Sequence, residues 1–144
     1  ERHKATGTMG LGFVKGFKLQ SGAVGSTVAH DSHNLFVIGM NDKDMVVAAN
    51  TLVDIGGGMV VVKEEKVLAV LPLPIAGLMS DKPVEDVQSD VESLANAWKA
   101  LGCQLTSPFM TMAILSLPVI PELRITNRGL VDVTKFKLVP LVIS

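Results

Sequence analysis

The sequence holds one cysteine, Cys103, which excludes an internal disulfide and a cysteine-built zinc site. Aromatic residues make up 4% with no tyrosine, leaving few platforms on which bases could stack. Charge of one sign is also scarce. Lys and Arg number 13 against 14 Asp and Glu, for a formal net charge of −1, so no long-range field draws the chain to nucleic acid or an acidic membrane. Long apolar runs are missing too. The most apolar stretches, Val67 to Met79 and Phe109 to Ile120, are interrupted by Pro72, Pro74 and Pro118 and fall short of the roughly 20 residues a membrane span needs. Neither a nucleic-acid nor a membrane partner is expected. The opening Glu1-Arg2-His3-Lys4 shows no initiator Met and no apolar signal region. We therefore expect a cytoplasmic protein and a piece of a longer polypeptide.

What is present is apolar bulk. Over 144 residues, 48% are hydrophobic and 19% charged, with a mean hydropathy of +0.42. That is too apolar for a disordered chain and enough for one compact domain spanning residues 1–144.

Leu11 to Leu19 carries Leu11, Phe13, Phe17 and Leu19 at odd positions, the period-2 pattern of a half-buried strand. Gln20-Ser21-Gly22 turns it toward Ala23 to Val28 as a hairpin partner. Leu35-Phe36-Val37-Ile38 is a continuous apolar run suited to a central strand. Asn41 with Asp44 three residues on reads as a helix N-cap. Met45, Ala48, Ala49, Leu52 and Val53 follow on one helical face, and Gly56-Gly57-Gly58 ends it. Met59 to Val62 and Val67 to Leu71 form a hairpin about Lys63-Glu64-Glu65-Lys66. Two glutamates suit a primed two-residue turn poorly, so a longer type I loop is expected there. Pro83 opens a second helix with the stripe Val84, Val87, Val91, Leu94, Ala95, Trp98 and Leu101, stopped by Gly102. Phe109 to Leu117 reads as another central strand, Thr126-Asn127-Arg128-Gly129 as a turn, and Lys135 to Ile143 as an edge strand limited by Pro140.

These elements predict an α+β fold: a mixed β-sheet with two main helices packed on one face, in βαββαβ-like order behind an N-terminal hairpin. The order is related to the split βαβ arrangement.

The densest polar cluster is His30-Asp31-Ser32-His33-Asn34, in a loop between two strands. Two imidazoles with a carboxylate between them suit proton transfer near neutral pH or a divalent metal. The same pattern fits a local role, with Asp31 and Asn34 capping a turn and the histidines bonded to nearby backbone. The loop lacks a full zinc ligand set. Gly56-Gly57-Gly58 follows a helix rather than opening one, so it is no phosphate cradle. Ser32 lacks the G-x-S-x-G context of a nucleophile elbow. The scattered methionines read as core filler.

Ser26-Thr27-Val28-Ala29-His30-Asp31-Ser32-His33-Asn34, Gly39-Met40-Asn41-Asp42-Lys43-Asp44-Met45, Gly56 to Lys63 and Leu71 to Ser80 are the longest distinctive motifs. With Pro108 to Thr111, Leu117 to Pro121 and Arg128 to Asp132, they make nearly the whole chain resemble the C-terminal domain of bacterial and archaeal adenine deaminases, in the amidohydrolase superfamily. Glu64-Glu65 departs from that family's usual Asp-Gly at the hairpin tip. The resemblance implies a parent enzyme that converts adenine and water to hypoxanthine and ammonia. Its divalent metal (manganese, iron or zinc) sits at the mouth of a TIM barrel and activates water. No H-x-H pair occurs here, and only His3, His30 and His33 are present, so the barrel and its metal are expected upstream, with no cofactor in this chain. The resemblance leaves two roles open. His30, Asp31, His33 and Asn34 could form an accessory loop at the barrel mouth, assisting proton transfer, touching the purine or orienting a metal ligand. Alternatively, the domain packs on the barrel and builds a homo-oligomer interface. A free-standing small-ligand or metal-binding module is the third possibility.

Overall fold

A computed structural model describes residues 1–142. Its main sheet has four strands, β1 (Ala23–Ser26), β2 (Phe36–Gly39), β3 (Gly58–Lys63) and β4 (Lys66–Pro72), in the order β2-β1-β3-β4. Every pairing is antiparallel, so the expected mixed sheet is replaced by an antiparallel one within an α+β fold. β2 and β3 flank β1 and both run against it, so they point the same way. The helical crossover between them therefore skips a strand, which is how the split βαβ arises here. The N-terminal hairpin is β1 with β2, not Leu11–Leu19 with Ala23–Val28. Phe36 to Gly39 lies at the sheet edge, and the central strands are β1 and β3.

Helix α1 (Asp42–Asp54) begins at Asn41, whose Oδ1 accepts from the Asp44 amide at 2.9 Å. It ends in a Schellman motif: the Gly56 amide donates to Val53 O (3.1 Å) and the Gly57 amide to Leu52 O (2.8 Å), with Gly56 at φ +76°. Helix α2 (Val84–Ala100) ends the same way at Gly102 and Cys103, whose amides donate to Lys99 O and Trp98 O. The helices cover opposite faces of the sheet rather than sharing one. Ala48 and Leu52 pack with Ala23, Val60 and Val62, while Leu94, Ala97 and Trp98 pack with Val24, Val61 and Leu71. Neighbouring residues in a strand point to opposite sides, which explains why Val60, Val61 and Val62 are all completely buried. Burying a side chain as large as Leu52 or Leu94 contributes about 1.5–3 kcal/mol. Val53, Val84 and Val91 stay exposed, so the apolar helix faces are narrower than the sequence pattern implied.

Two further expectations change. Phe109 to Leu117 is not a strand but a short helix, α3 (Pro108–Ala113), continued by a 3-10 turn Ile114–Ser116. Pro108 occupies the first helical turn, where its missing amide costs nothing. The Lys63–Lys66 connection is a two-residue turn with Glu64 and Glu65 both at positive φ, +52° and +61°. It is a primed turn despite unfavourable residues. The buried Asp44 carboxylate compensates by accepting the Glu65 amide at 2.7 Å. A separate antiparallel sheet joins β5 (Leu123–Thr126), β6 (Gly129–Asp132) and β7 (Lys137–Val139). The expected turn at Thr126–Gly129 links β5 to β6. The expected last strand is limited to Lys137–Val139, and its Ile143 end lies outside the described residues.

Candidate functional site

The His30–Asn34 loop connects β1 to β2 and is braced from three directions. Within the loop, the His33 amide donates to Ala29 O at 2.7 Å, and the Ala29 amide donates to His33 Nδ1 at 3.2 Å. A backbone N–H can only donate, so this bond fixes His33 as an acceptor at Nδ1 and leaves its proton on Nε2. Burial, then the neighbouring His30 and Arg2, lower the His33 pKa below its usual 6.5. From the far end of the chain, the His30 amide donates to Ala113 O (3.1 Å) and Ser116 Oγ donates to His30 O (2.8 Å). From the N-terminal segment, Arg2 Nε donates to His33 O (2.6 Å), the Arg2 amide to Asn34 Oδ1 (3.3 Å), and His3 Nε2 to Ser32 O (2.5 Å).

Arg2 also reaches Ala76 O at 2.7 Å, which ties the loop to the tight turn bridged at Ile75 and Met79. That turn is seated by Thr27, buried just after β1. Thr27 Oγ1 donates to Gly77 O (2.6 Å) and accepts the Gly58 amide (2.8 Å). Gly57 permits the approach, because a Cβ there would lie 2.5 Å from Gly77 Cα. The triple glycine thus does two things: it caps α1, as expected, and it lets the Ile75–Met79 turn dock beside the loop.

The four sequence candidates therefore separate. His33 and Asn34 are engaged by the fold: His33 closes the loop, and Asn34 accepts from Arg2 while its Nδ2 donates to Ser32 Oγ (3.2 Å). His30 is half-buried, and Asp31 beside it faces outward. Their side chains are 37% and 85% exposed, with His30 Nδ1 3.9 Å from Asp31 Oδ1. The His30 ring meets the His33 ring edge-on, centroids 5.3 Å apart at 68°. Sequence reasoning missed Arg2, His3 and Ser116, which no local motif marks; they reach the loop only through tertiary structure.

The loop does not fit a metal. The His33 Nδ1 lone pair is already taken by Ala29, and Asp31 projects into solvent. Among the described residues no group of three or more His, Cys, Asp or Glu could hold an ion. The hollow behind the loop, lined in part by Ala29, Asn34, Phe36 and Thr126, measures about 80 Å³, against roughly 300–1,000 Å³ for small-molecule sites. None of the described helices is long and apolar enough to cross a membrane.

Fold and loop together define an α+β domain that presents an imidazole–carboxylate pair on a braced hairpin connection. Residues 1–137 match the family model described as adenine deaminase C-terminal domain, and the chain belongs to that family. It is 64% identical over 142 residues to an adenine deaminase of Moorella thermoacetica, covering 99% of this chain and 24% of the relative. It is 61% identical over 144 residues to one of Clostridium botulinum, covering 100% and 24%. A third, from Oleidesulfovibrio alaskensis, is 57% identical over 141 residues, covering 98% and 25%. The chain spans about a quarter of the length of these relatives.

Proposed function

We propose that residues 1–144 are a single domain forming the C-terminal part of a cytoplasmic, homo-oligomeric adenine deaminase, which hydrolyses adenine to hypoxanthine and ammonia. The observation that carries this reading is the near-complete match to relatives named adenine deaminase, each about four times longer. The divalent metal implied by the family resemblance (manganese, iron or zinc) is assigned to an upstream barrel domain, because the donors here do not converge. In the whole enzyme the His30–Asn34 loop lies beside the reacting purine. There His30, with the Asp31 carboxylate nearby, exchanges a proton with substrate or solvent, and His33 and Asn34 hold the loop's shape. The partly exposed His30–Asp31 pair on a rigid connection supports that division.

The test is made in the full-length enzyme. His30→Ala is expected to lower kcat by about a hundredfold, the lower range for a lost acid–base group, with folding retained. His33→Ala is expected to loosen the loop and raise KM. If both variants stay folded with kcat and KM near wild type, the accessory-loop role is wrong. The 144-residue chain alone is expected not to deaminate adenine; turnover by the purified chain with added manganese would overturn the division of labour.

A further inference from the structure

The stretch Met9 to Phe13 keeps the period-2 pattern of a half-buried strand but shows its apolar side to solvent. Met9, Leu11 and Phe13 are 75%, 60% and 94% exposed. The alternating Gly10 and Gly12 lie against β5 and β6. A Cβ on Gly10 would sit 1.9 Å from Thr126 O, and one on Gly12 would sit 3.0 Å from Leu130 Cδ2. The glycines thus bring the backbone onto the small sheet and leave the large side chains pointing away. Asn127 Nδ2 donates to Thr8 Oγ1 at 3.2 Å, so the segment is anchored in this pose. A row of large apolar side chains held outward on an anchored backbone marks an interaction surface.

Two observations identify what covers it. The family is a C-terminal domain and the relatives are about four times longer, so a long stretch of polypeptide precedes the position of Glu1 in them. The Glu1 nitrogen donates to Thr8 O at 2.9 Å, which puts the junction next to Met9. We propose that the Met9–Leu11–Phe13 ladder is the surface on which the preceding part of the same polypeptide docks, with Leu11 and Phe13 as its anchors. This rests on the reading of the chain as the last quarter of a longer enzyme.

The test compares thiol reactivity. Leu11→Cys and Phe13→Cys are made separately in the full-length polypeptide and in the 144-residue chain. The control is Val46→Cys on α1, 56% exposed in the wild type. Cys103 is buried and adds little background. In the 144-residue chain all three thiols are expected to react with a maleimide at similar rates. In the full-length polypeptide the two ladder thiols are expected to react at least about tenfold more slowly than the control, as burial by docking requires. Equal rates in the full-length polypeptide overturn the proposal. So does protection of the 144-residue chain that fades on dilution, which would make a second copy the occupant. Adenine turnover measured on the same samples separates the two claims: protection without deamination keeps the docking surface and removes the deaminase reading.

Discussion

Removing the Arg2 side chain is the sharpest way to test whether the candidate loop is held by its surroundings or by its own turn chemistry. Arg2 makes two guanidinium bonds, to His33 O at 2.6 Å and Ala76 O at 2.7 Å. Hydrogen bonds to charged groups contribute about 1.5–3 kcal/mol each when shielded. One of these is partly buried and the other exposed, so solvent competition brings the pair to about 1–2 kcal/mol. Such a loss changes a local opening equilibrium by about 5–30-fold. The amides that report it are Ala29, bonded to His33 Nδ1, and His33, bonded to Ala29 O. Hydrogen exchange followed by NMR is therefore expected to speed up by that factor at these two positions in Arg2→Ala. Val60 to Val62 in β3, buried at the sheet centre, should be unchanged. Arg2→Lys keeps the charge but cannot span two carbonyls with a planar fork, so it should recover less than half of the lost protection. If Arg2→Ala leaves both loop amides within about twofold of wild type, this latch of two Arg2 bonds is not what fixes the loop.

The remaining predictions concern titration. Asp44 has its pKa lowered from the usual 3.8, first by the Glu65 amide and then by the Asn41 side chain. The stability it supplies is thus complete above about pH 3.8 and is lost as pH falls through the lower folded value. Asp44→Asn should cost about 1–3 kcal/mol at pH 7 and flatten that part of the acid limb, read from urea midpoints; an unchanged acid limb would refute it. His33 should titrate below 6.5 by NMR. Its neutral form is the folded one, so its share of stability is complete above about pH 6.5 and declines as pH falls toward the folded value. A midpoint at or above 6.5 would mean that burial and the neighbouring His30 and Arg2 do not govern this imidazole in solution.

What was legible in the sequence is what is decided locally. Asn41 with Asp44, the Gly56–Gly58 stop, the Pro83 start and the Thr126–Gly129 turn all act within a few residues, and all occur. The run Phe109 to Leu117 turns helical where its pattern predicts a strand, because a short apolar stretch has no period that separates the two. There Pro108, and residues unbranched at Cβ such as Phe109, Met110 and Met112, tip the balance to helix. The Glu64–Glu65 turn departs from its local residue preferences because its stabilising partner, Asp44, lies 21 residues away. Periodicity says which side of a helix is apolar but not which side of a sheet it will meet, so the pattern alone does not divide α1 and α2 between opposite faces. At the candidate site the cluster itself was visible, yet its division was not. The Ala29–His33 bond shows that one imidazole closes the loop, while the other makes no side-chain hydrogen bond among the described residues and stays partly open to solvent.

The latch and the proposed docking ladder lie on one short segment, and that segment is tied to itself. The Glu1 carboxylate accepts the amides of His3 (2.7 Å), Lys4 (3.0 Å) and Thr6 (3.2 Å), and these bonds hold its pKa down to about 2, with the Lys4 amide the largest influence. In a longer polypeptide the Glu1 nitrogen becomes an amide and still has a hydrogen to give Thr8 O. Residues 1–8 therefore form a compact knot, with Arg2 and His3 gripping the loop on one side and Met9 leading into the ladder on the other. A preceding domain that seats Leu11 and Phe13, as proposed, bears on the segment that carries Arg2, and through Arg2 on His33 O and Asn34 Oδ1. The proposed docking would thus be felt at a loop that this domain already braces, which is the physical reason to test the loop's proposed chemistry in the full-length polypeptide as well as in this domain.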